Sequence, residues 1–278
     1  MLTSNNTINC NGQLIDFERP KVMGIVNLTH DSFYDGNKYN KDELYLHLIE
    51  RHLLEGADFI DIGAISSRPG ADILDFNEEQ KRLFTNLEKI IDRFPEAILS
   101  VDTFRSEIAK GAIERGASII NDISAGDLDV KMFPTIAELQ VPYIMMHMRG
   151  TPIDMQKNVR YDHLIDEIVS YFSDKLNKLH LLGVNDIILD PGFGFGKDII
   201  DNYEILKKLS IFDLFKKILL VGVSRKSMFQ KHFNITAEEA LNATSAAHMV
   251  ALRNGAKILR VHDVKEAKQC IEIDFLTQ

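Results

Sequence analysis

Eight short apolar runs, each closing on a polar side chain and each followed by an amphipathic stretch, constrain this chain more than any other feature. The runs are Val22–Leu28, Asp58–Ile62, Ala97–Val101, Ser118–Ile120, Tyr143–Met146, Ile187–Leu189, Ile218–Val223 and Lys257–Val261. Helical periodicity follows them at Asp42–Glu55, Asn77–Phe94, Ser106–Arg115, Phe133–Leu139, Tyr161–Leu182, Ile200–Leu209, Ala237–Asn254 and Val264–Leu276. A short run without alternation is a strand covered on both faces. Gly56-Ala57, Gly116-Ala117 and Gly255-Ala256 stop three of the helices, and Asn77 with Gln80 reads as a capping box for another. Eight βα units in roughly 250 residues predict an α/β (β/α)8 TIM barrel, with a doubly wound open sheet as the alternative. Ahead of them, Thr7–Cys10 and Gln13–Phe17 flank Asn11-Gly12, the signature of a tight hairpin. This short N-terminal β-hairpin is placed to plug one end of the barrel. No linker or composition shift interrupts the pattern, so residues 1–278 are expected to form a single domain.

Charge narrows the partners. A net charge of -9 disfavours nucleic acid and anionic membranes, and no apolar run is long enough to span a bilayer. The polar start of the chain lacks the pattern of a signal peptide. Cys10 and Cys270 form no CxxC pair or metal-ligand spacing, which fits a reducing, cytoplasmic setting.

In a barrel the carboxyl ends of the strands form one rim, where ligands bind. Here they carry Asn27, Asp61, Asp102, Asn121-Asp122, His147, Asp190, Ser224-Arg225-Lys226 and Arg260, with His262-Asp263 just beyond. Any one of these has the bland reading of a helix cap or loop hydrogen bond, the reading given to Asp122, Asp263 and Ser106. Crowding amides, carboxylates and cations on one concave rim is costly unless a ligand uses them. They sort into two sets. Asp102, Asn121, Asp190 and Lys226 suit a flat polar heterocycle, a carboxylate taking the two parallel N–H groups of an amino-pyrimidinone edge. Asn27, Ser67, Arg68, Arg260 and His262 form a donor-rich, cationic corner for a phosphate or pyrophosphate, and the Asn27 carbonyl could hold Mg²⁺.

Other signals are weaker. Gly192–Gly196 is G-x-G-x-G rather than a dinucleotide fingerprint, and Gly196-Lys197 lacks the first glycine and the Ser/Thr of a P-loop. His47 and His52 are five apart on a helix, wrong for a shared metal, and are expected on the surface. His248 sits among small residues and reads as packing or interface.

These motifs, in this order, resemble the dihydropteroate synthase family. Its first signature is similar to Met23–Gly36 and its second to Asp61–Ala71. Ser100–Thr103, Ile120–Ser124, Met146–Pro152, Asp190–Lys197, Gly222–Lys226 and Arg260–Asp263 follow, so the resemblance runs from about Lys21 to Asp263. It implies a folate-pathway transferase that joins 6-hydroxymethyl-7,8-dihydropterin pyrophosphate to 4-aminobenzoate. It further implies that Asp102, Asn121, Asp190 and Lys226 bind the pterin, between apolar walls at Phe195 and Met145. Asn27, Ser67, Arg68, Arg260 and His262 would hold the pyrophosphate and Mg²⁺. Asp35, with Lys226, Arg260 and His262, would assist catalysis, and Ser224, Arg225 and Phe33 would form the 4-aminobenzoate pocket. The loops Thr29–Asn40 and Ala64–Asp75 would close over the site. The small-residue helix Ala240–Ala251 suits close packing either against a partner subunit or against its own barrel, and the resemblance implies a homodimer. The chain departs from the family at His30, at Ala64-Ile65, at Ser67 and at Asn242-Ala243.

The expected chemistry needs no nucleophile: pyrophosphate leaves the pterin methylene, and the neutral aromatic amine attacks the cation left behind. A methyl-transferring pterin barrel would share the pterin set but not need Ser67-Arg68 with Arg260 and His262. A non-catalytic binding barrel would leave Asp35 idle.

Overall fold

The computed structural model describes residues 6–28, 41–64, 74–151, 155 and 160–278, with 41–43 as backbone only. Two strands, β1 (Thr7–Cys10) and β2 (Gln13–Asp16), form the hairpin. Asn11 and Gly12 both take positive φ, 52° and 89°, as a two-residue I′ turn requires. Then come β3 (Lys21–Asn27), α1 (Lys41–Leu54), β4 (Phe59–Gly63), α2 (Phe76–Arg93), β5 (Leu99–Asp102), α3 (Ser106–Glu114) and β6 (Ile119–Asp122). They are followed by α4 (Met132–Leu139), β7 (Tyr143–Met146), α5 (Leu164–Leu181), β8 (Ile187–Asp190), α6 (Ile199–Lys207), β9 (Ile218–Val221), α7 (Ser227–Phe233), α8 (Leu241–Arg253), β10 (Ile258–Val261) and α9 (Val264–Leu276). The eight strands β3 to β10 are parallel and close into a barrel, β10 pairing with β3 through Arg260 opposite Met23. The (β/α)8 barrel and its hairpin are thus as expected, and the open sheet is excluded.

Strand parity assigns every side chain to one of two environments. Met23, Phe59, Ile119, Ile144, Ile188, Ile218, Leu220 and Ile258 point inward and pack with Ile8, Cys10 and Phe17 of the hairpin segment. Phe17 lies 6.4 Å from Phe59, ring to ring, so the hairpin does plug the amino end. Asn9 N donates to Asp186 Oδ2 (2.8 Å) and Asn11 Nδ2 to Ser118 Oγ (2.9 Å), bolting it on. The alternate positions, among them Val22, Ile60, Val101, Tyr143, Met145, Leu189 and Val261, face the helices. Two residues further along the inward face the apolar filling gives way to Asp61, Asn121, Asp190 and Arg260. The polar rim is thus the upper layer of the barrel's own interior.

Several local expectations are corrected. The cap of α2 is Asp75, whose Oδ1 accepts from Asn77 N (2.8 Å) and Glu78 N (3.1 Å); Asn77 is already helical. A capping box does occur, between Asp198 and Asp201 at α6. Of the two bland readings offered for Ser106 and Asp263, the neighbour's hydrogen bond holds rather than the cap: Ser106 N–H is accepted by Asp129 Oδ2 at 2.8 Å, and Asp263, which makes no cap bond at the start of α9, accepts from Arg225. His52 is fully buried rather than on the surface. It lies against Gly24, where a Cβ would come within 2.8 Å of the ring, and its Nε2 is 3.3 Å from the Ile25 carbonyl. Burial lowers its pKa to about 4, so it packs as a neutral ring. Helix α7 was not expected at all.

Candidate active site

The β5, β6, β8 and β10 ends, with the turn after β9, build one narrow cavity. It is lined by Asp102, Asn121, Asp190, Lys226 and Arg260, and by the apolar Met146 and Phe195. The expected heterocycle set is therefore brought together in full. Gly222, just past β9 and continuing its inward parity, puts no side chain into this space; a Cβ there would stand 4.0 Å from Asp190 Oδ2. Phe195 joins Ile123, Met146, Met148 and Met155 in a small apolar cluster over the rim. Met145 is not a wall: it faces the helix layer. Its neighbour Met146 takes the role, because Ile144 and Met146 share the inward parity.

Arg260 occupies the middle of the set. Its Nε donates to Asp61 Oδ2 at 2.7 Å, and one terminal nitrogen reaches Asp61 Oδ2 at 2.6 Å and Asp102 Oδ2 at 3.2 Å. Asn121 Nδ2 donates to the same Asp61 oxygen at 3.0 Å. Asp61, visible in the sequence as a strand end but given no role there, is thus the hub of the cluster. With its nitrogen turned to Asp61, Asn121 offers its carbonyl oxygen to the cavity. Asp190 Oδ1 accepts from Gly192 N at 2.8 Å. Lys226 Nζ stands 4.5 Å over the Phe195 ring.

Burial dominates the electrostatics. It raises Asp102 to about 7, against the pull of Arg260 and with the repulsion of Asp61. It raises Asp190 as well, against the Gly192 hydrogen bond and Lys226. Lys226 falls to about 8 through burial and the nearby Arg260. Burial would also weaken Arg260 as a cation, but Asp61 and Asp102 hold its pKa above the usual guanidinium value. The result is a compact, buried array of three carboxylates, Asp61, Asp102 and Asp190, around two cations, Lys226 and Arg260, in which small displacements are costly.

The second set is arranged differently from its expected form. Asn27 ends β3 on the inward parity, half-buried. His262 Nδ1 lies 3.0 Å from Ser224 Oγ, whose hydroxyl oxygen also accepts from His262 N at 3.2 Å. Burial and Arg260 lower His262 to about 4, so at neutral pH it is a hydrogen-bonding ring rather than a cation. Arg260 is turned to the heterocycle cavity, not to a corner with His262. Arg225 takes a left-handed φ of 53°, held by its N–H to Thr244 Oγ1 (3.0 Å) and its carbonyl from Gln230 Nε2 (2.8 Å). That turn sends Lys226 into the barrel and Arg225 outward, where it grips Asp263 with two bonds of 2.8 and 2.6 Å. Neither Ser224 nor Arg225 lines the cavity. Asp122 is a satisfied neighbour as expected, accepting from Ser124, Gly126 and Tyr143 Oη. Ser67, Arg68, Phe33, Asp35 and His30 lie outside the described residues.

A closed barrel whose upper interior holds carboxylates, an amide and a lysine around an aromatic wall defines the class of enzymes that grip a planar nitrogen heterocycle at the strand ends. Comparison narrows the class. The profile described as pterin binding enzyme matches residues 23–262. The dihydropteroate synthase of Escherichia coli (strain K12) is 38% identical over 264 residues, 94% of this chain and 93% of its own. A crystal structure of the Yersinia pestis dihydropteroate synthase in a sulfonamide drug complex superposes with a TM-score of 0.91 at 37% identity, covering 98% of each chain. The Xanthomonas albilineans enzyme with 4-aminobenzoic acid gives 0.91 at 34% identity over 99% of each. The chain belongs to the dihydropteroate synthase family, the transferases of folate biosynthesis.

Proposed function

We propose that this chain condenses 6-hydroxymethyl-7,8-dihydropterin pyrophosphate with 4-aminobenzoate, releasing 7,8-dihydropteroate and pyrophosphate. The observation that carries this reading is the convergence of Asp102, Asn121, Asp190 and Lys226 on one cavity walled by Phe195 and Met146. Asp190 accepts the paired N–H groups of the amino-pyrimidinone edge, and Lys226 donates to its carbonyl oxygen. Asn121 accepts through Oδ1, and Asp102 accepts a further ring N–H. The pyrophosphate then faces Asn27 and His262, joined by Ser67 and Arg68. Arg260 sits between the two sets: it balances Asp61 and Asp102, and the arriving pyrophosphate competes for it.

The reaction proceeds by departure, then attack. The methylene C–O bond breaks with its electron pair leaving on pyrophosphate. The cation that remains is spread over the ring and stabilised by Asp35 and the cavity carboxylates. The amine of 4-aminobenzoate, beside Ser224, Arg225 and Phe33, forms the new C–N bond, and its proton passes to solvent or to the released pyrophosphate. The amine is already neutral, so no strong base is needed. Mg²⁺ suits this arrangement in kind. Asn27 Oδ1 would offer it one hard oxygen ligand, and one or two protein oxygens can hold this ion. The ion, when bound, would supply charge neutralisation to the leaving pyrophosphate.

We further propose one domain over residues 1–278, a homodimer joined through α8, and a cytoplasmic location, in keeping with two buried free cysteines. A pyrophosphate-release assay with Mg²⁺ tests the central reading. Release that keeps pace with dihydropteroate formation and depends on 4-aminobenzoate is expected; absence of release with both substrates present overturns it.

A further inference from the structure

Lys197 takes no part in the chemistry above, yet it is among the most enclosed cations of the chain, 2% exposed. Its Nζ donates to three main-chain carbonyls: Gly192 at 2.9 Å, Phe195 at 3.0 Å and His147 at 3.2 Å. An ammonium has three donors and no acceptor, so this cage satisfies it. Two of the carbonyls belong to the loop after β8; the third lies just past β7. The loop is laid onto its neighbour at backbone distance. A Cβ at Gly192 would collide with the His147 carbonyl oxygen, and one at Gly196 with that of Arg149. The ammonium closes the seam between the two loops.

What the seam immobilises is the apolar wall of the cavity. The Phe195 carbonyl is one of the three acceptors, and the Phe195 ring lines the cavity under Lys226. The Gly192 carbonyl is another, and the Gly192 N–H is the group that orients Asp190. Burying an ammonium carries a large desolvation cost, and burial lowers this one to about 7 with Asp190 opposing. A methionine would fill the same space without that cost but would leave the carbonyls unpaired and the seam undirected.

We propose that Lys197 is a positioning residue of the pterin site, acting through the Phe195 wall without touching substrate. This rests on the pterin reading of the cavity, and the test separates the two. The probe is 6-hydroxymethylpterin, titrated calorimetrically into the full chain. If the unmodified chain fails to bind it, the pterin reading itself falls. Given binding, Lys197→Met is expected to weaken it about tenfold, the scale of a misplaced binding group, with the KM for 4-aminobenzoate within about twofold of normal. In a Phe195→Ala background the same change is expected to add less than about twofold, because the two positions act as one unit. Lys197→Gln keeps two donors and is expected to fall between; it carries the comparison if the methionine variant does not fold. Unchanged pterin binding, or an equal loss with and without the Phe195 ring, would show the lysine to be structural only.

Discussion

Asp61 has no exposed surface, yet one of its oxygens accepts from Arg260 Nε, from a terminal Arg260 nitrogen and from Asn121 Nδ2. Removing one side of a buried charge pair leaves the other uncompensated and costs about 3–5 kcal/mol. Arg260 keeps Asp102, so Asp61→Ala is expected to destabilise by about 3 kcal/mol in urea unfolding, and to weaken 6-hydroxymethylpterin binding by freeing the Asn121 amide to rotate. A loss under about 1 kcal/mol would mean that Asp102 alone anchors the guanidinium. The same cavity sets a pH window. Asp102, raised by burial to about 7, is protonated below that pH and gives up acceptor capacity. Lys226, lowered by burial to about 8, loses its charge above it. Affinity for 6-hydroxymethylpterin, which carries no phosphate to titrate, is expected to rise through pH 7 and decline beyond 8. Asp102→Asn should abolish the acid limb and leave the alkaline one. For stability the sign is opposite on the acid side. The folded pKa lies above the unfolded value of about 4, so the Asp102 contribution is full at low pH and is lost as pH climbs to 7. The sequence showed each of these side chains at a strand end. It could not show that Arg260 turns to Asp61 rather than to His262, since that choice depends on distances across the barrel.

At the scale of elements, the alternation of each strand decides what it contributes. Asn121 and Asp190 stand two residues above Ile119 and Ile188, so one face supplies both the apolar filling and the polar rim. The eight strands, their order and the hairpin were legible because short buried runs and an Asn-Gly turn leave few alternatives. Parity was harder to read: Tyr143–Met146 is apolar at every position, and only the barrel's closure shows that Met146, not Met145, faces the ligand. The α2 cap was misplaced because Asp75 and Asn77 are both good capping residues, and the choice turned on where the helix begins. His52 was misread because its burial depends on Gly24 of a different element. The plug offers a clean test of the separation between the two ends. Phe17 is 1% exposed and stacks on Phe59, so Phe17→Ala is expected to cost about 3–5 kcal/mol. Because the cavity lies at the far end of the strands, KM for both substrates should stay within about twofold as long as the barrel is folded. A selective rise in the pterin KM would show that plug and rim are coupled.

For the whole molecule, rim and plug occupy the two ends of the barrel, which leaves the helical flank for the proposed homodimer. Helix α6 packs beside both α7 and α8, and each of the three leaves an apolar side chain in solvent: Ile200, Phe233 and Val250, at 75%, 55% and 43% exposure. Along α8 the outward positions Asn242, Ala246 and Val250 carry no long or charged side chain, so a second helix could approach closely. His248, on the same helix, is turned inward and 1% exposed, and so belongs to the packing of its own barrel. Three adjacent helices can supply the roughly 800 Å² per partner of a stable interface, and a twofold axis would place the same patch on both sides. The proposed homodimer therefore predicts that Val250→Arg, which sets two cations against each other across that axis, shifts the 31.6 kDa chain from dimer to monomer in sedimentation velocity. Turnover per chain should be retained, because no cavity residue lies on α8. A wild-type chain that sediments as a monomer, or a variant that remains dimeric, would move the interface elsewhere or remove it.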